Sequence, residues 1–372
     1  MKIIHIVENL DKGAVENWLV NVFMESRILK PDWEWTFYCI LGKPGRLDEK
    51  VRHAGGNIIY APCTISDKIK FLRALRKTLK AGNYDIIHSH HDYLSGFYLT
   101  ASCGINFKKR ILHIHNTDAA LPVGNKLLHN ALLKPFRWLG IYFSDIIVGI
   151  SNDTLQQFLK KTKPGKKQVT VLYYGINFKR FEKETNSTLL QEQFNLPHNT
   201  RALLFCGRMN AFKNPVFVVE ILNELLKQDK TYHAIFVGEG DLTKDVTDKA
   251  RAFAISDHVH LAGWRNDLAD VMKACNVFVF PRVEYPKEGL GLVVVEAQAA
   301  GLPMFLSNGI VADAIEISEL AHFIPLDTHP SVWAAAIQKT TETISAAEAL
   351  ERMQASKFSL PIATKNLLSL YE

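Results

Sequence analysis

Two glutamates near the end of the chain, Glu288 and Glu296, lie eight positions apart in a segment that could hold hydroxyl and phosphate groups. The first half of this segment is rich in proline and glycine, which predicts a loop. Residues 293–300 are apolar and alanine-rich, and Gly301 then predicts the end of a short helix. One carboxylate would lie on the loop and the other in the helix, around a helix start whose free N–H groups suit a phosphate.

Carboxylates are good acceptors for hydroxyl groups, so the same pair could also hold a buried sugar. The plainer alternative is a surface loop and an amphipathic helix that carry two solvated glutamates. The pair alone does not decide between these two interpretations.

Two cations follow the strand predicted over residues 202–206. After Gly207, Arg208 and Lys213 would leave the carboxyl edge of a sheet on one loop, where fixed positive charges could neutralise a diphosphate without a metal ion. An arginine and a lysine five positions apart are by themselves unspecific.

Two later strands also end in loops that could hold parts of such a ligand. Gly238 and Gly240 would let the backbone approach a ligand closely. Trp264 and Arg265 follow the next strand, where exposed amides and a ring could hold a nucleobase. Each signal is weak, and their order along the chain is the stronger evidence.

Short apolar runs alternate with longer helical ones, which predicts parallel sheets built from βαβ units. The predicted strands are 2–7, 35–41, 58–61, 85–88, 110–115 and 145–150, then 168–172, 202–206, 233–237, 259–261, 277–280 and 304–307. The rhythm restarts at 168–172, and the polar segment 177–200 predicts a linker. We therefore predict two doubly wound α/β domains, residues 1–167 and 168–355, with ligands bound beyond the carboxyl ends of the strands, in a cleft between the domains.

A dinucleotide-dependent oxidoreductase would share this architecture, but its fingerprint is incomplete. Residues 8–13 lack the Gly-x-Gly-x-x-Gly pattern, and Gly238-Glu-Gly240 continues to Thr243 where the third glycine should be. The sequence has no Walker phosphate-binding loop either.

The composition indicates a folded, soluble protein of about two domains. The 372 residues are 47% hydrophobic and 22% charged. We find neither a run of the ~18 apolar residues that span a bilayer nor a signal peptide, so we expect a cytoplasmic protein. The five cysteines form no Cys-x-x-Cys pair, which predicts buried, reduced thiols and no zinc site.

The net charge of +6 includes a basic amphipathic helix, predicted over residues 69–81 and flanked by Lys68. Solvated helix faces are often basic. The functional alternative is contact with an anionic membrane surface, to which an amphipathic cluster at residues 136–138 would add. We find no nucleic-acid-binding motif, so no nucleic acid partner is expected.

Two predicted strands end in His-x-His, which places His88 with His90, and His113 with His115, on shared strand faces. Imidazoles at this spacing are common metal ligands, but a metal hydrolase would need a carboxylate from a third strand, which the sequence does not place. We therefore predict no metal. The remaining interpretations are structural histidines at the sheet edge, or a place for His115 in a reaction centre.

Taken together, the motifs of the second half resemble the donor domain of the retaining glycosyltransferases of family 4, also called glycosyl transferases group 1. These enzymes have the GT-B fold, which consists of two Rossmann-like domains. The matching motifs are Gly207-Arg208…Lys213-Asn214, Gly238-Glu-Gly240, Gly263-Trp264, Pro281 and Glu288-Gly-Leu-Gly-Leu…Glu296.

The first half resembles the acceptor-binding half of the same family, through residues 85–90, 110–115 and 175–181. Phe358 and Tyr371 lie where the last helix of the family, here residues 356–372, crosses back onto the first domain.

The resemblance implies a role for each matching position. Arg208 and Lys213 match the pair that binds the donor diphosphate, Glu296 matches the carboxylate on the ribose, and Glu288 matches the one beside the transferred sugar. His115 matches a histidine near that sugar. The other expected donor-binding residues are Gly13, Gly207, Gly238, Gly240, Trp264, Arg265, Gly289, Leu290, Gly291 and Leu292.

The sequence departs from the family pattern at a few positions. Gly13-Ala14 stands where the family has a glycine pair, which predicts a less flexible loop near the donor. Tyr174 and Asn177 replace the common asparagine and aspartate, and Arg282 stands where serine is frequent. We expect these changes to affect the hinge and the choice of sugar.

The resemblance implies a retaining, metal-independent hexosyltransferase without a cofactor. It would move a hexose-type sugar from a nucleotide-diphosphate sugar, with uridine as the expected base, to a glycan acceptor. We expect a lipid-linked acceptor at the inner face of the cytoplasmic membrane, in the synthesis of a bacterial surface polysaccharide such as O-antigen, capsule or exopolysaccharide. Two rival functions are a nucleotide-sugar epimerase of the same fold and a non-catalytic partner that binds a nucleotide sugar.

Overall fold

The computed structural model describes residues 1–11, 13–117, 126–160, 162–184, 186, 188–341 and 344–372, and for 126–132 the backbone alone. The chain forms two compact units. The first consists of Met1–Ile176 and Leu360–Glu372, and the second of Asn177–Ser359.

A seven-stranded sheet forms the centre of the first unit, and its neighbouring strands pair in parallel in the order β3-β2-β1-β4-β5-β6-β7. The strands are β1 Lys2–Val7, β2 Glu34–Cys39, β3 Asn57–Tyr60, β4 Ile86–Ser89, β5 Lys109–Ile114, β6 Ile146–Gly149 and β7 Gln168–Val171. Parallel strands covered by helices on both faces are apolar along their whole length, and Ile4, Ile87 and Leu112 are fully buried here.

Within the described residues of the first unit, six α-helices precede β7. They are α1 Ala14–Leu29, α2 Asp48–His53, α3 Lys68–Gly82, α4 Ser95–Thr100, α5 Lys126–Phe143 and α6 Asn152–Leu159. The basic helix α3 begins where the Asp67 side chain accepts the Lys70 N–H at 3.0 Å, and it ends at Asn83, whose backbone is left-handed.

The second unit is built around a six-stranded parallel sheet in the order β10-β9-β8-β11-β12-β13. Its strands are β8 Arg201–Cys206, β9 Tyr232–Val237, β10 Val259–Gly263, β11 Val277–Phe280, β12 Met304–Leu306 and β13 Ala321–Phe323. The sequence predicted all of them except β13, a three-residue strand that contains a histidine and has no fully buried residue.

The remaining helices begin with α7 and end with α14, which belongs to the first unit and packs against α1. They are α7 Leu189–Phe194, α8 Pro215–Leu226, α9 Thr243–Ala252, α10 Leu268–Ala274, α11 Leu292–Ala299, α12 Pro330–Lys339, α13 Ala346–Gln354 and α14 Leu360–Tyr371.

The predicted domain boundary at residues 167 and 168 is wrong. The strand at 168–171, which was expected to open the second domain, pairs with β6 in the first sheet, and the first unit continues to Ile176. The predicted linker 177–200 is part of the second unit, because Phe178 and Phe181 in a 3-10 turn are buried there and α7 packs against α10. These apolar anchors are too short to show a period in the sequence.

All five cysteines are unpaired thiols. Cys39, Cys206 and Cys275 are buried as predicted, but Cys63 is half-buried and Cys103 is exposed, so that prediction is wrong for those two. Among the helices in the described ranges, none is long and apolar enough to cross a membrane.

Each sheet has one place where the strand order reverses along the chain. It lies between β1 and β4 in the first sheet and between β8 and β11 in the second. Loops that leave such a pair of strands diverge to opposite sides, and the crevice between them is the usual ligand site in open parallel sheets. The loops that follow β8 and β11, which carry predicted donor-binding residues, and the loops that follow β1 and β4 leave the sheets at these positions.

Candidate active site

Three loops meet at the carboxyl edge of the second sheet. The loop after β8 is tied to the loop after β9 by hydrogen bonds that the Gly207 and Met209 N–H groups donate to Val237 O and Glu239 O, both at 2.9 Å. The Gly238 N–H donates to Gly263 O at 2.8 Å and so adds the loop after β10. The predicted donor-binding loops are therefore one packed assembly.

This packing explains the two glycines of the loop after β9. A Cβ atom on Gly238 would lie 2.2 Å from Gly207 O, and one on Gly240 would lie 2.3 Å from Met209 O. Both glycines are thus required by contact with the neighbouring loop. Their contact with a donor stays a prediction.

Lys213 and Glu288, from the loops after β8 and β11, form an ion pair through the Glu288 Oε2 atom. Arg282 Nε donates to the same oxygen at 2.6 Å. Burial raises the pKa of Glu288, but Lys213 and Arg282 outweigh it, so the net pKa is lowered. Burial also lowers the pKa of Lys213, although Glu288 opposes this. The structure therefore holds a charged carboxylate between two cations at the predicted sugar position.

Glu296, in the middle of α11, forms an ion pair with Arg180. The Glu296 side chain is 15% exposed and that of Arg180 is 43% exposed, so a ligand could reach the carboxylate if the arginine moved aside. Burial raises the pKa of Glu296, and Arg180 only partly opposes the rise. The two glutamates lie on the loop and in the helix, as predicted.

The start of α11 offers free backbone donors. Gly291 precedes the helix with φ +83°, where a glycine is favoured, and no side chain caps the helix. The first N–H groups of a helix have no intrahelical acceptor and carry a positive partial charge. The loop before the helix is held by the Glu288 N–H, which donates to Gly309 O at 2.9 Å, and by burial of Leu290. Amide contacts from Gly289 to Leu292 with a donor stay a prediction.

Arg208 and Trp264 are the exposed members of the predicted set. The Arg208 side chain has no ion-pair partner within the described ranges of the chain. The Trp264 residue is 68% exposed. Arg265 is engaged instead, because its Nε donates to Asp267 at 2.7 Å and its Nη2 to Gln193. Arg208 and Trp264 are thus available for a ligand, whereas Arg265 would have to exchange partners.

A cavity of about 330 Å³ opens at the carboxyl ends of β1, β4 and β5 in the first unit. Its polar lining includes Glu16, His90, Asp92 and His115. Burial raises the pKa of both Glu16 and Asp92. Asp92 accepts hydrogen bonds from the His115 N–H at 2.6 Å and from the Asn116 side chain at 2.8 Å. These carboxyl groups can accept hydrogen bonds from the hydroxyl groups of a polar ligand.

Two lining residues of this cavity, His90 and His115, belong to a cluster of five buried histidines. They make two hydrogen-bonded chains with N···N distances of 2.9 to 3.2 Å. One chain is Tyr371, His88 and His113, and the other is Tyr174, His115, His90 and His5. Burial is the main reason that all five pKa values are lowered, His90 to about 3. The imidazoles are therefore neutral.

His115 is joined to its neighbours at both ring nitrogens. Nδ1 is hydrogen-bonded to the Tyr174 hydroxyl and Nε2 lies 3.1 Å from His90 Nδ1. This arrangement matches the structural interpretation of the histidines in its geometry. A direct role of His115 in a reaction centre stays a prediction, and neither nitrogen can serve it without losing one of these bonds.

The histidines also have the spacing of possible metal ligands. One nitrogen from each of His5, His88 and His90 lies within 4.8 Å of the others, and the same holds for His90, His113 and His115. The observed N···N contacts are hydrogen-bond distances, and among the described residues only the His5 Nε2 and His113 Nε2 atoms of this cluster are buried without a partner. The hydrogen bonds thus account for most of these nitrogens.

The sequence did not predict Arg180 or Arg282 as site residues. Arg282 carries one visible signal, because a charged residue that directly follows a buried strand lies at the carboxyl edge. Arg180 lies in the segment 175–181 that resembles the family, but its pairing with Glu296, over a hundred positions away, has no local signal. Gly13 precedes α1 with an ordinary φ of −68°, and a Cβ there would meet the flexible Glu16 carboxylate.

Comparisons with known proteins agree with this architecture. Residues 32–180 match the family model Glycosyltransferase Family 4, and residues 186–351 match Glycosyl transferases group 1. The putative glycosyltransferase EpsF of Bacillus subtilis is 25% identical over 91% of this chain and 87% of its own length. The capsular polysaccharide biosynthesis glycosyltransferase CapH of Staphylococcus aureus is 25% identical over 100% of this chain and 98% of its own.

Two further relatives give a named reaction and a solved fold. An Escherichia coli enzyme named UDP-Gal:alpha-D-GlcNAc-diphosphoundecaprenol alpha-1,3-galactosyltransferase is 25% identical over 70% of this chain and 67% of its own. The crystal structure of Anabaena HepE in complex with UDP has a TM-score of 0.80 at 16% identity, over 100% of this chain and 99% of that one. The family models, these relatives and the two Rossmann-like sheets together show that the chain belongs to the family 4 glycosyltransferases of GT-B fold, the glycosyl transferases group 1.

Proposed function

We propose that the protein is a retaining hexosyltransferase that uses a UDP-sugar donor and a lipid-linked glycan acceptor in the synthesis of a bacterial surface polysaccharide. The observation that carries this proposal is the cluster of Lys213, Glu288 and Arg282 at the carboxyl edge of the second sheet, beside the start of α11. The E. coli relative is named for a UDP-sugar donor and a diphosphoundecaprenol acceptor, which supports both substrate classes.

The leaving diphosphate sets the main chemical demand, because negative charge builds on it as the anomeric bond lengthens. Arg208, Lys213 and the first amides of α11 are positive groups that favour this charge more in the transition state than in the ground state. These groups can replace a divalent cation, so we propose a metal-independent reaction.

Retention of the anomeric configuration is proposed from the family. A double displacement would need a nucleophilic carboxylate on the face opposite the leaving group. Glu288 is a poor nucleophile, because its ion pairs with both Lys213 and Arg282 lower the basicity of the carboxylate. We therefore favour attack from the same face as the leaving group, with the departing phosphate accepting the proton of the acceptor hydroxyl.

The acceptor is assigned to the cavity of the first unit. Glu16 and Asp92 would accept hydrogen bonds from its hydroxyl groups, and the neutral imidazoles of His90 and His115 add no charge that would repel or trap a glycan. His115 would shape the lining of this cavity.

Exposed groups on the first unit support contact with the inner face of the cytoplasmic membrane. Lys70, Arg73 and Lys77 lie on the exposed side of α3. Trp138 and Tyr142, one turn apart on α5, stack at 5.2 Å and are 59% and 60% exposed. Aromatic rings and basic residues are the groups that bind a membrane surface of anionic lipids.

The test is turnover of UDP-glucose and UDP-galactose by the purified protein with a GlcNAc-diphosphoundecaprenol acceptor. We expect transfer with retained configuration, unchanged by EDTA. Glu288→Ala and Lys213→Ala should each lower turnover by about 100-fold or more while the circular dichroism spectrum is kept. Glu319→Ala, at a surface ion pair with Arg352, is the matched control.

Near wild-type turnover in both site variants would overturn the proposal. Incubation with the donor alone separates the rival functions, because an epimerase would then form a new nucleotide sugar. A partner without catalytic activity would bind UDP and release no product under any of these conditions.

A further inference from the structure

Arg282 is a buried cation of the candidate donor site, and the mechanism above gives it no contact with the donor. The residue is only 6% exposed. Its Nη1 atom donates to the carbonyl oxygens of Val283, at 2.9 Å, and Pro286, and the Ser307 hydroxyl donates to the Arg282 carbonyl oxygen. The surrounding loops thus fix the guanidinium in one place.

The fixed guanidinium orients Glu288. Arg282 Nε and Lys213 Nζ both donate to the Oε2 atom of this carboxylate. Within the part of the chain that the structure describes, the Oε1 atom of Glu288 makes no hydrogen bond. The two cations therefore hold one oxygen and leave the other one for a ligand.

Lys213 has two tasks that compete. It pairs with Glu288 in the free protein, and its ammonium is also the proposed partner of the donor diphosphate. Burial raises the pKa of Glu288, and the ammonium of Lys213 and the guanidinium of Arg282 lower it. These are the charged groups that face Glu288 from the loops after β8 and β11. If Lys213 turned to the diphosphate and no other cation remained, the buried carboxylate would take up a proton.

We propose that Arg282 is a positioning residue that keeps Glu288 ionised, with Oε1 free for the donor sugar, while Lys213 binds the donor diphosphate. This inference rests on the proposed function for its ligand, but the contacts of Arg282 do not. Lys213 suits a shared role because its side chain is flexible, whereas Arg282 has two further bonds that hold it in place.

The decisive measurement is the pKa of Glu288 in the ligand-free protein, by NMR of carboxyl-¹³C-labelled glutamate with Glu288→Gln to identify the signal. Lys213→Met represents the state in which the lysine no longer pairs with Glu288. We expect the pKa of Glu288 to be at least about 1 unit higher in Lys213→Met/Arg282→Met than in Lys213→Met, because an adjacent opposite charge lowers a carboxyl pKa by about 1–3 units.

Matched variants separate this role from a merely structural one. Lys213→Met/Arg282→Lys keeps a cation beside Glu288 and should keep the pKa of Glu288 low. Lys213→Met/Arg201→Met removes an arginine at the start of β8, at the other end of the strand, and should leave the pKa of Glu288 as it is in Lys213→Met. Arg282→Met alone repeats the comparison if the double variant does not fold, and the pKa should rise there by less. Equal pKa values with and without Arg282 would overturn the inference.

Binding of UDP, UDP-glucose and UDP-galactose, measured by calorimetry, tests the ligand side. We expect Arg282→Met to weaken the UDP-sugar by about 10-fold more than it weakens UDP, because both ligands draw Lys213 to the diphosphate but only the UDP-sugar also needs the Glu288 carboxylate. Equal weakening of UDP and UDP-sugar would contradict the assigned role. If the wild type binds none of the three, the proposed donor fails, and the NMR comparison still decides the role of Arg282.

Discussion

Glu288 and Glu296 differ in the partners that hold them, although both are carboxylates of one short segment. Glu288 lies between two cations and has a lowered pKa, whereas Glu296 has one half-exposed partner, Arg180, and a raised pKa. A carboxylate with a movable partner can exchange it for a ligand hydroxyl at little cost. This difference fits the expected division, in which Glu296 binds the ribose and Glu288 the sugar.

Replacing Glu296 should therefore weaken the binding of nucleotides that carry ribose hydroxyl groups. We expect Glu296→Ala to weaken UDP by about 10- to 100-fold, the value of one hydrogen bond to a charged group. For 2′,3′-dideoxy-UDP, which lacks both hydroxyl groups, the same change should cost less than about 3-fold. Calorimetric titration of both nucleotides with the wild type and the variant measures the four affinities.

Glu319→Ala is the control for these titrations, because it removes a glutamate of the same unit that is also paired with an arginine, Arg352. It should leave both affinities unchanged. Equal losses for the two nucleotides in Glu296→Ala would show that the carboxylate supports the helix α11 and does not bind the ribose.

At the scale of elements, the sequence predicted the strands well because each is a short apolar run between polar loops. Such runs show where strands lie, but not which strands pair. The strand at 168–171 was assigned to the wrong sheet for this reason, since its pairing with β6 depends on contacts that no local pattern records. The family resemblance, and not the periodicity, predicted the GT-B fold that the comparisons confirm.

The candidate site was predictable to the extent that its residues follow strand ends. Lys213 and Glu288 both leave the carboxyl edge, so their meeting follows once β8 and β11 are known to be neighbours. The pairing of Arg180 with Glu296 does not follow, because Arg180 belongs to a segment that looked like a linker. The sequence placed four of the buried histidines at two strand ends, but their hydrogen-bonded chains, which also include His5, depend on side-chain rotamers that no sequence pattern records.

Helix α3 provides a test of the proposed membrane contact. Reversing the charge of Lys70, Arg73 and Lys77 should weaken binding to vesicles of anionic phospholipid by about 100-fold or more, because each basic residue near such a surface contributes about 1 kcal/mol. Cosedimentation at low salt measures the bound fraction. Both wild type and variant should remain unbound to vesicles of neutral lipid.

The variant Lys227→Glu/Lys244→Glu/Arg251→Glu gives the same change of net charge on exposed helices of the second unit. It should bind anionic vesicles almost as well as the wild type. If both triple variants lose binding equally, the net charge is responsible and α3 has no special part.

At the scale of the whole molecule, the two units carry opposite kinds of polar cluster at their sheet edges. The second unit holds charged pairs, whereas the first holds five neutral imidazoles whose pKa values burial keeps below the ordinary value of about 6.5. These imidazoles take up protons only when the chain unfolds. Below pH 6.5 the unfolded state thus binds more protons than the folded state, so the free energy of unfolding must fall as the pH falls.

We expect the first unit to lose stability steeply between pH 7 and pH 5, by up to about 1.4 kcal/mol per pH unit for each of the five histidines. Urea unfolding followed by tryptophan fluorescence measures this, because Trp35 stacks on His5 at 4.4 Å and Trp18 contacts His113 at 5.4 Å. His5→Phe keeps a ring in the stack and removes one titrating group, so the pH slope should decrease by one proton. A flat dependence from pH 7 to pH 5 would mean that the histidines take up protons as readily in the folded chain as in the unfolded one, which would contradict the prediction.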